Sequence, residues 1–162
     1  MKNFITINLF TFFAALSLFS CDREEVKTLN KLDGEWSVTQ ITFTTADGQE
    51  LTLDPLNSSI KFDECDKKDN QTPNSCSASY VEDGTIKASL FYQLTVDNSS
   101  SVLSIKEDPD GSLEAIAFLD YFNGLNDIFF SNNDTQLNLE CTSCSGTFDG
   151  QNFESRIVIL ER

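Results

Sequence analysis

From residue 86 to residue 97 the chain alternates with one exception. Ile86, Ala88, Leu90, Tyr92, Leu94 and Val96 fall on one side. Lys87, Ser89, Gln93, Thr95 and Asp97 fall on the other, joined by Phe91. A period of two sustained this long predicts a strand with one buried face. Strict alternation over 59–63, and Thr-, Val-, Ile- and Phe-rich stretches at 37–44, 78–81, 102–105, 128–130, 136–141 and 155–161, predict further strands. Turn-forming clusters separate them: Ala46-Asp47-Gly48-Gln49, Asp97-Asn98-Ser99-Ser100, Asp108-Pro109-Asp110-Gly111, Asn132-Asn133-Asp134 and Asp149-Gly150-Gln151-Asn152. Glu82-Asp83-Gly84-Thr85 is a hairpin signal. Residues 113–122 fit a strand, with Leu113, Ala115, Ala117 and Leu119 on one face. They also fit a short helix capped by Ser112 and stopped at Gly124, and we read them as strand. About eight short strands in sequence, joined by turns with no crossover helices, predict an all-β, antiparallel up-and-down sheet. Such a sheet removes its edges by closing into a barrel.

The amino end obeys a different rule. After Met1-Lys2-Asn3, residues 4–20 are apolar except for Asn8, two Thr and two Ser. One early positive charge, a short apolar run and a small residue at its end predict a secretory signal peptide. That run finishes Leu18-Phe19-Ser20-Cys21, which resembles the lipobox of bacterial lipoproteins. The resemblance implies cleavage before Cys21, diacylation of its thiol, acylation of the new amino terminus, and a membrane partner held through that anchor. Each buried CH₂ of the acyl chains would add ~0.8 kcal/mol. Asp22-Arg23-Glu24-Glu25 resembles the export signal of Bacteroidetes-type lipoproteins, which implies the outer membrane and display at the cell surface. The expected organisation is a signal peptide at 1–20, a lipidated acidic tether at 21–31 and one domain at 32–162.

Within that domain, Leu32-x-Gly34-x-Trp36, Asp83-Gly84-Thr85, Asp134-Thr135-Gln136-Leu137-Asn138-Leu139 and the closing Ile157-Val158-Ile159-Leu160-Glu161-Arg162 resemble bacterial lipocalin-like domains. The resemblance implies a lipocalin-like barrel that takes a small apolar ligand. It also implies an arginine of the last strand packed over the tryptophan, a role open to Arg156 or Arg162. The chain departs from that pattern in its four body cysteines and its long 107–127 stretch. An eight-stranded barrel is either filled by its own side chains or holds one small ligand. Trp36, Tyr80 and Tyr92 are the candidate ligand-binding residues, with core packing the competing role for each.

Charge and chemistry narrow the functions. The 162 residues carry a net charge of −15, which repels nucleic acid and anionic lipid head groups. The chain has no histidine, and no nucleophile elbow, phosphate loop or dinucleotide fingerprint appears. No catalytic residue, metal ligand or cofactor is therefore expected. Besides Cys21, the chain has Cys65, Cys76, Cys141 and Cys144. An even number of cysteines in an exported chain predicts disulfides. Of three pairings, Cys65 with Cys76 and Cys141 with Cys144 is preferred. The first would close a polar loop, worth about 2–3 kcal/mol in loop entropy. Cys141-Thr-Ser-Cys144 has redox-motif spacing but follows a strand-like run instead of opening a helix. Two functions remain: a barrel binding a small hydrophobic ligand, and a non-catalytic subunit of an envelope assembly with a solidly packed barrel.

Overall fold

The computed structural model describes residues 24–55, 57–65, 75–97, 100–108 and 121–162. Their strands are β1 (Gly34–Thr45), β2 (Glu50–Leu53), β3 (Ser58–Phe62), β4 (Cys76–Glu82), β5 (Thr85–Val96), β6 (Ser101–Glu107), β7 (Gly124–Ser131), β8 (Gln136–Cys141), β9 (Gly146–Phe148) and β10 (Gln151–Glu161). Eight of them close a lipocalin-like antiparallel barrel in the order β1-β3-β4-β5-β6-β7-β8-β10. The last strand pairs back with the first, from Ser37 opposite Glu161 to Thr45 opposite Phe153.

The remaining two strands extend the edges of that ring. β2 pairs with β1 from Ile41 to Thr44, beyond the stretch that pairs with β3. β9 does the same for β10, before β10 reaches β8. Both were missing from the expected set. At four and three residues, they are too short for a periodic signal. The Asp83-Gly84 and Asp149-Gly150 hairpins hold both central residues at positive φ, between +49° and +77°. The right-handed twist of a hairpin demands that conformation, and glycine adopts it without penalty.

Alternation along β5 is as expected over most of its length: Ala88, Leu90, Tyr92 and Leu94 are buried, while Gln93 and Thr95 are exposed. Ile86 departs from it, at 53% exposure. The pairing steps from Tyr80–Ala88 to Val81–Ile86, skipping Lys87. This bulge takes Ile86 off the inward face.

Residues 24–32 form a helix, α1, where a linker was expected up to residue 31. Leu29 and Leu32, three positions apart, are buried in the barrel core. Glu24 and Glu25 stand at the amino end of α1, where the helix dipole favours negative charge, and Lys27 pairs with Glu24 at 2.6 Å. Three apolar positions in nine residues, Val26, Leu29 and Leu32, give too weak a period to announce a helix. Of the 113–122 segment read as strand, only Tyr121 and Phe122 lie among the described residues, and both are helical. The rest of that segment, Cys21 and the 66–74 loop lie outside them.

Buried side chains from all eight barrel strands, with Leu29, Leu32 and Phe122, form one continuous core cluster. Leu90→Ala should therefore lower unfolding stability by about 2–5 kcal/mol through lost burial and a residual cavity. Gln93→Ala, outward on the same strand, should stay within roughly 0.5 kcal/mol. Chemical denaturation of the acyl-free domain measures both, and equal losses would contradict the register.

Candidate functional site

The α1 end of the barrel is locked by Trp36. Its indole is fully buried, Nε1 donates to the Leu32 carbonyl at 2.8 Å, and its ring lies 6.1 Å from Phe130. Arg162 lies over the other side, its guanidinium carbon 4.4 Å from the ring centre. The arginine is held there by Nε donating to the Asp134 carbonyl and Nη1 to the Asp33 carbonyl. Lys31 of α1 reaches Asp134 at 3.0 Å. A cation over an indole is worth about 0.5–1 kcal/mol at a partly exposed site. Helix, first strand and last strand are thus joined through one tryptophan.

Arg156, the other candidate for that position, does different work. It points into the barrel from β10 and is almost fully buried, with Nη2 donating to Asn126 Oδ1 at 2.8 Å and to the Asn123 carbonyl at 3.2 Å. Asn126 is fully buried on β7 and directs its amide nitrogen at the carbonyls of Leu103, Phe122 and Gly124, each at 3.3 Å. It satisfies buried carbonyls and orients the arginine at once. Nothing in the sequence singles out Asn126 except a polar residue in step with Ile128 and Phe130 on an otherwise apolar face.

The three aromatic candidates all point inward, and each packs on a different ring. Tyr92 meets Phe62 edge-on at 5.1 Å, with its hydroxyl donating to the Asp63 carbonyl at 2.8 Å. Tyr80 lies 5.8 Å from Phe122. At the end away from α1, Phe43 is surrounded by Phe148, Phe153 and Tyr121, with ring centres 4.6–6.0 Å away. The structure makes the local disulfides, Cys65–Cys76 and Cys141–Cys144, with Cα–Cα distances of 5.5 and 5.7 Å. Cys65–Cys76 ties the chain after β3 to the start of β4, beside Tyr92. Cys141–Cys144 closes the exit from β8.

The large inward side chains are closely covered. Trp36, Tyr92, Phe43, Phe62, Phe122, Phe153, Leu90 and Leu103 are each less than 2% exposed. A void wide enough for a ligand would leave surface uncovered on such side chains. Two hollows lined by described residues lie on the outside. One, of about 360 Å³, is formed by Glu35, Ser37, Asn57, Ser59, Val81 and Gly84, with Val38 and Ser58. Another, of about 300 Å³, lies over Phe91, Gln93, Ser104 and Lys106 of β5 and β6. Among the described residues no group of His, Cys, Asp or Glu is placed to hold a metal ion. Compared with protein-family models, with curated proteins and with solved structures, the chain finds no match.

Two stability predictions come from these buried polar groups. Asn126→Ala would remove one of the two acceptors of Arg156 Nη2 and the amide donor that three carbonyls share, and should cost about 3 kcal/mol in chemical denaturation. A loss below that of an ordinary surface change would contradict the role assigned to Asn126.

The second concerns pH. Burial raises the Tyr92 hydroxyl well above the ordinary tyrosine range, and the Asp33 and Asp63 carboxylates add to it. Burial likewise raises Tyr80, against the lowering effect of a hydrogen bond with Ser58. In the unfolded chain both would ionise near about 10. Above that pH the folded state binds more protons than the unfolded state, so stability falls as pH rises. Denaturant midpoints between about pH 9 and 11 should show this fall, and Tyr92→Phe should flatten it. An unchanged slope in the variant would mean that another group carries the alkaline limb.

Proposed function

We propose that this chain is a lipid-anchored lipoprotein of the outer membrane, displayed at the cell surface through Cys21. Its barrel is a non-catalytic module that binds an envelope protein with its outer surface. The observation that carries this proposal is the near-complete burial of the large inward side chains. It supports a barrel that uses its inner space for its own packing and not for a ligand. A small apolar ligand, the alternative use of such a barrel, would have to displace Trp36, Tyr92 or Phe62 from sites where each is packed on a neighbouring ring.

The sequence before the barrel supports the anchor. Cys21 stands three residues ahead of α1, and α1 is docked on the barrel through Leu29 and Leu32. A lipid on Cys21 would then hold the folded body close to the bilayer with little free chain between them. The acidic balance supports the same arrangement, since it keeps the body off anionic head groups while the anchor retains it.

Metabolic labelling with a fatty-acid analogue should mark the wild-type protein and leave Cys21→Ala unlabelled. Label retained by the variant overturns the anchor. Native mass spectrometry of the protein extracted from its own membranes should show the acylated chain alone. A stoichiometric small-molecule adduct, lost on Trp36→Ala or Tyr92→Ala, would restore the ligand-binding role.

A further inference from the structure

The outer face of β7, β8 and β10 combines three features that folding alone does not require. The first is exposed apolar surface: Leu125 is 66% exposed, Phe129 52% and Ile157 40%. The second is a pair of like charges in direct register. Asp127 of β7 stands opposite Glu140 of β8, and Glu140 stands opposite Ile157 of β10. Carboxylates directly across a strand pair repel each other and destabilise the sheet. The third is Asn138, one row along, which lies between Phe129 and Ile159. Its Oδ1 is buried and accepts no hydrogen bond, an unmet acceptor that costs stability.

Among the described residues, the strands that form this face supply no cation to it. Strands β1, β2, β7, β8 and β10 contain one basic residue between them, Arg156, and it points into the barrel. On the β6 side, the residue paired with Asp127 is Val102, and the one lysine of β6, Lys106, stands four residues further along the strand. A second copy of the chain does not supply it either. A two-fold contact on this face would bring four carboxylates together on molecules of net charge −15. An anionic bilayer surface would be repelled by the same groups.

We infer that this face is the docking surface for a protein segment carrying Lys or Arg between apolar side chains. The cation sits between Asp127 and Glu140 and relieves their repulsion. The flanking apolar groups cover Leu125, Phe129 and Ile157. Three strands at about 4.8 Å spacing present a face roughly 10–15 Å wide, which suits one extended segment or one helix. This inference rests on the protein-binding role proposed above and names its surface and the chemistry of the partner.

The test is site-specific photo-crosslinking of the full lipoprotein in its own membrane. A benzophenone amino acid is placed at position 129, at 157, or at 91 on the outer face of β5 across the barrel. Positions 129 and 157 should give discrete protein adducts whose cross-linked peptide has Lys or Arg flanked by apolar residues, and position 91 should not. The double change Asp127→Asn with Glu140→Gln removes the repulsion and should leave the barrel folded. It should lower the adduct yield by about tenfold, as expected for losing two exposed charge pairings. An unchanged yield in that variant, or an adduct peptide without basic residues, overturns the inference. Adducts at 91 in place of 129 and 157 overturn this surface and leave the protein-binding role standing. Adducts at none of the three overturn both.

Discussion

Everything in this fold depends on β1 finding β10. These two strands begin and end the barrel, and their pairing runs from Ser37–Glu161 to Thr45–Phe153. Without it the chain would be an open meander with two unpaired edges and an apolar face on water. The pairing joins residues more than a hundred positions apart, so the chain must close its longest loop to gain its largest reward. The Trp36–Arg162 contact stands beside that seam. It fastens α1, β1 and the residue after β10 to one another where closure is completed. The two disulfides act elsewhere and locally. Each spans neighbouring segments and takes no part in the seam.

Closure also divides the side chains into two populations under different constraints. Inward positions must fill a lumen of fixed width, and they do so with rings meeting rings: Trp36 with Phe130, Phe62 with Tyr92, Phe43 with Phe148 and Phe153. The polar exceptions inside, Arg156 and Asn126, are tolerated because they bond each other and nearby carbonyls. Outward positions are free of packing demands, and there the acidic excess accumulates.

How far the sequence announced this structure follows from how each signal is generated. Period-two alternation reports one-sided burial, so the main strands, their turns and the closed sheet were legible. So were the local disulfides, because two cysteine pairs, each close in sequence, leave few better options. Signals that arise only in three dimensions were not. The bulge at Tyr80–Val81 moves Ile86 outward, and it depends on how β4 and β5 twist together. α1 draws its stability from Leu29 and Leu32 reaching the core, which a nine-residue stretch rich in charge conceals. The choice between Arg156 and Arg162, which share one parity, turned on where the last strand ends. Arg156 alternates in step with Val158 and Leu160 and so points inward, whereas Arg162 lies past the strand and is free to fold back over Trp36.

The outer face was the hardest part to see from sequence, for a physical reason. Leu125, Phe129 and Ile157 look like ordinary members of strands, and Asp127 and Glu140 like two among many carboxylates. Only the register brings them together. Once it does, the arrangement is a local conflict: apolar groups in water, two negative charges side by side, and a buried acceptor without a donor. Each costs stability by itself, and a chain selected only to fold would separate them with a single lysine. Elsewhere this chain does place its cations against acidic partners, as in Lys27 with Glu24 and Lys31 with Asp134. Among the described residues neither Asp127 nor Glu140 is given one, and that, beside exposed Phe129, is the kind of departure from local consistency that marks a surface shaped for something other than the fold.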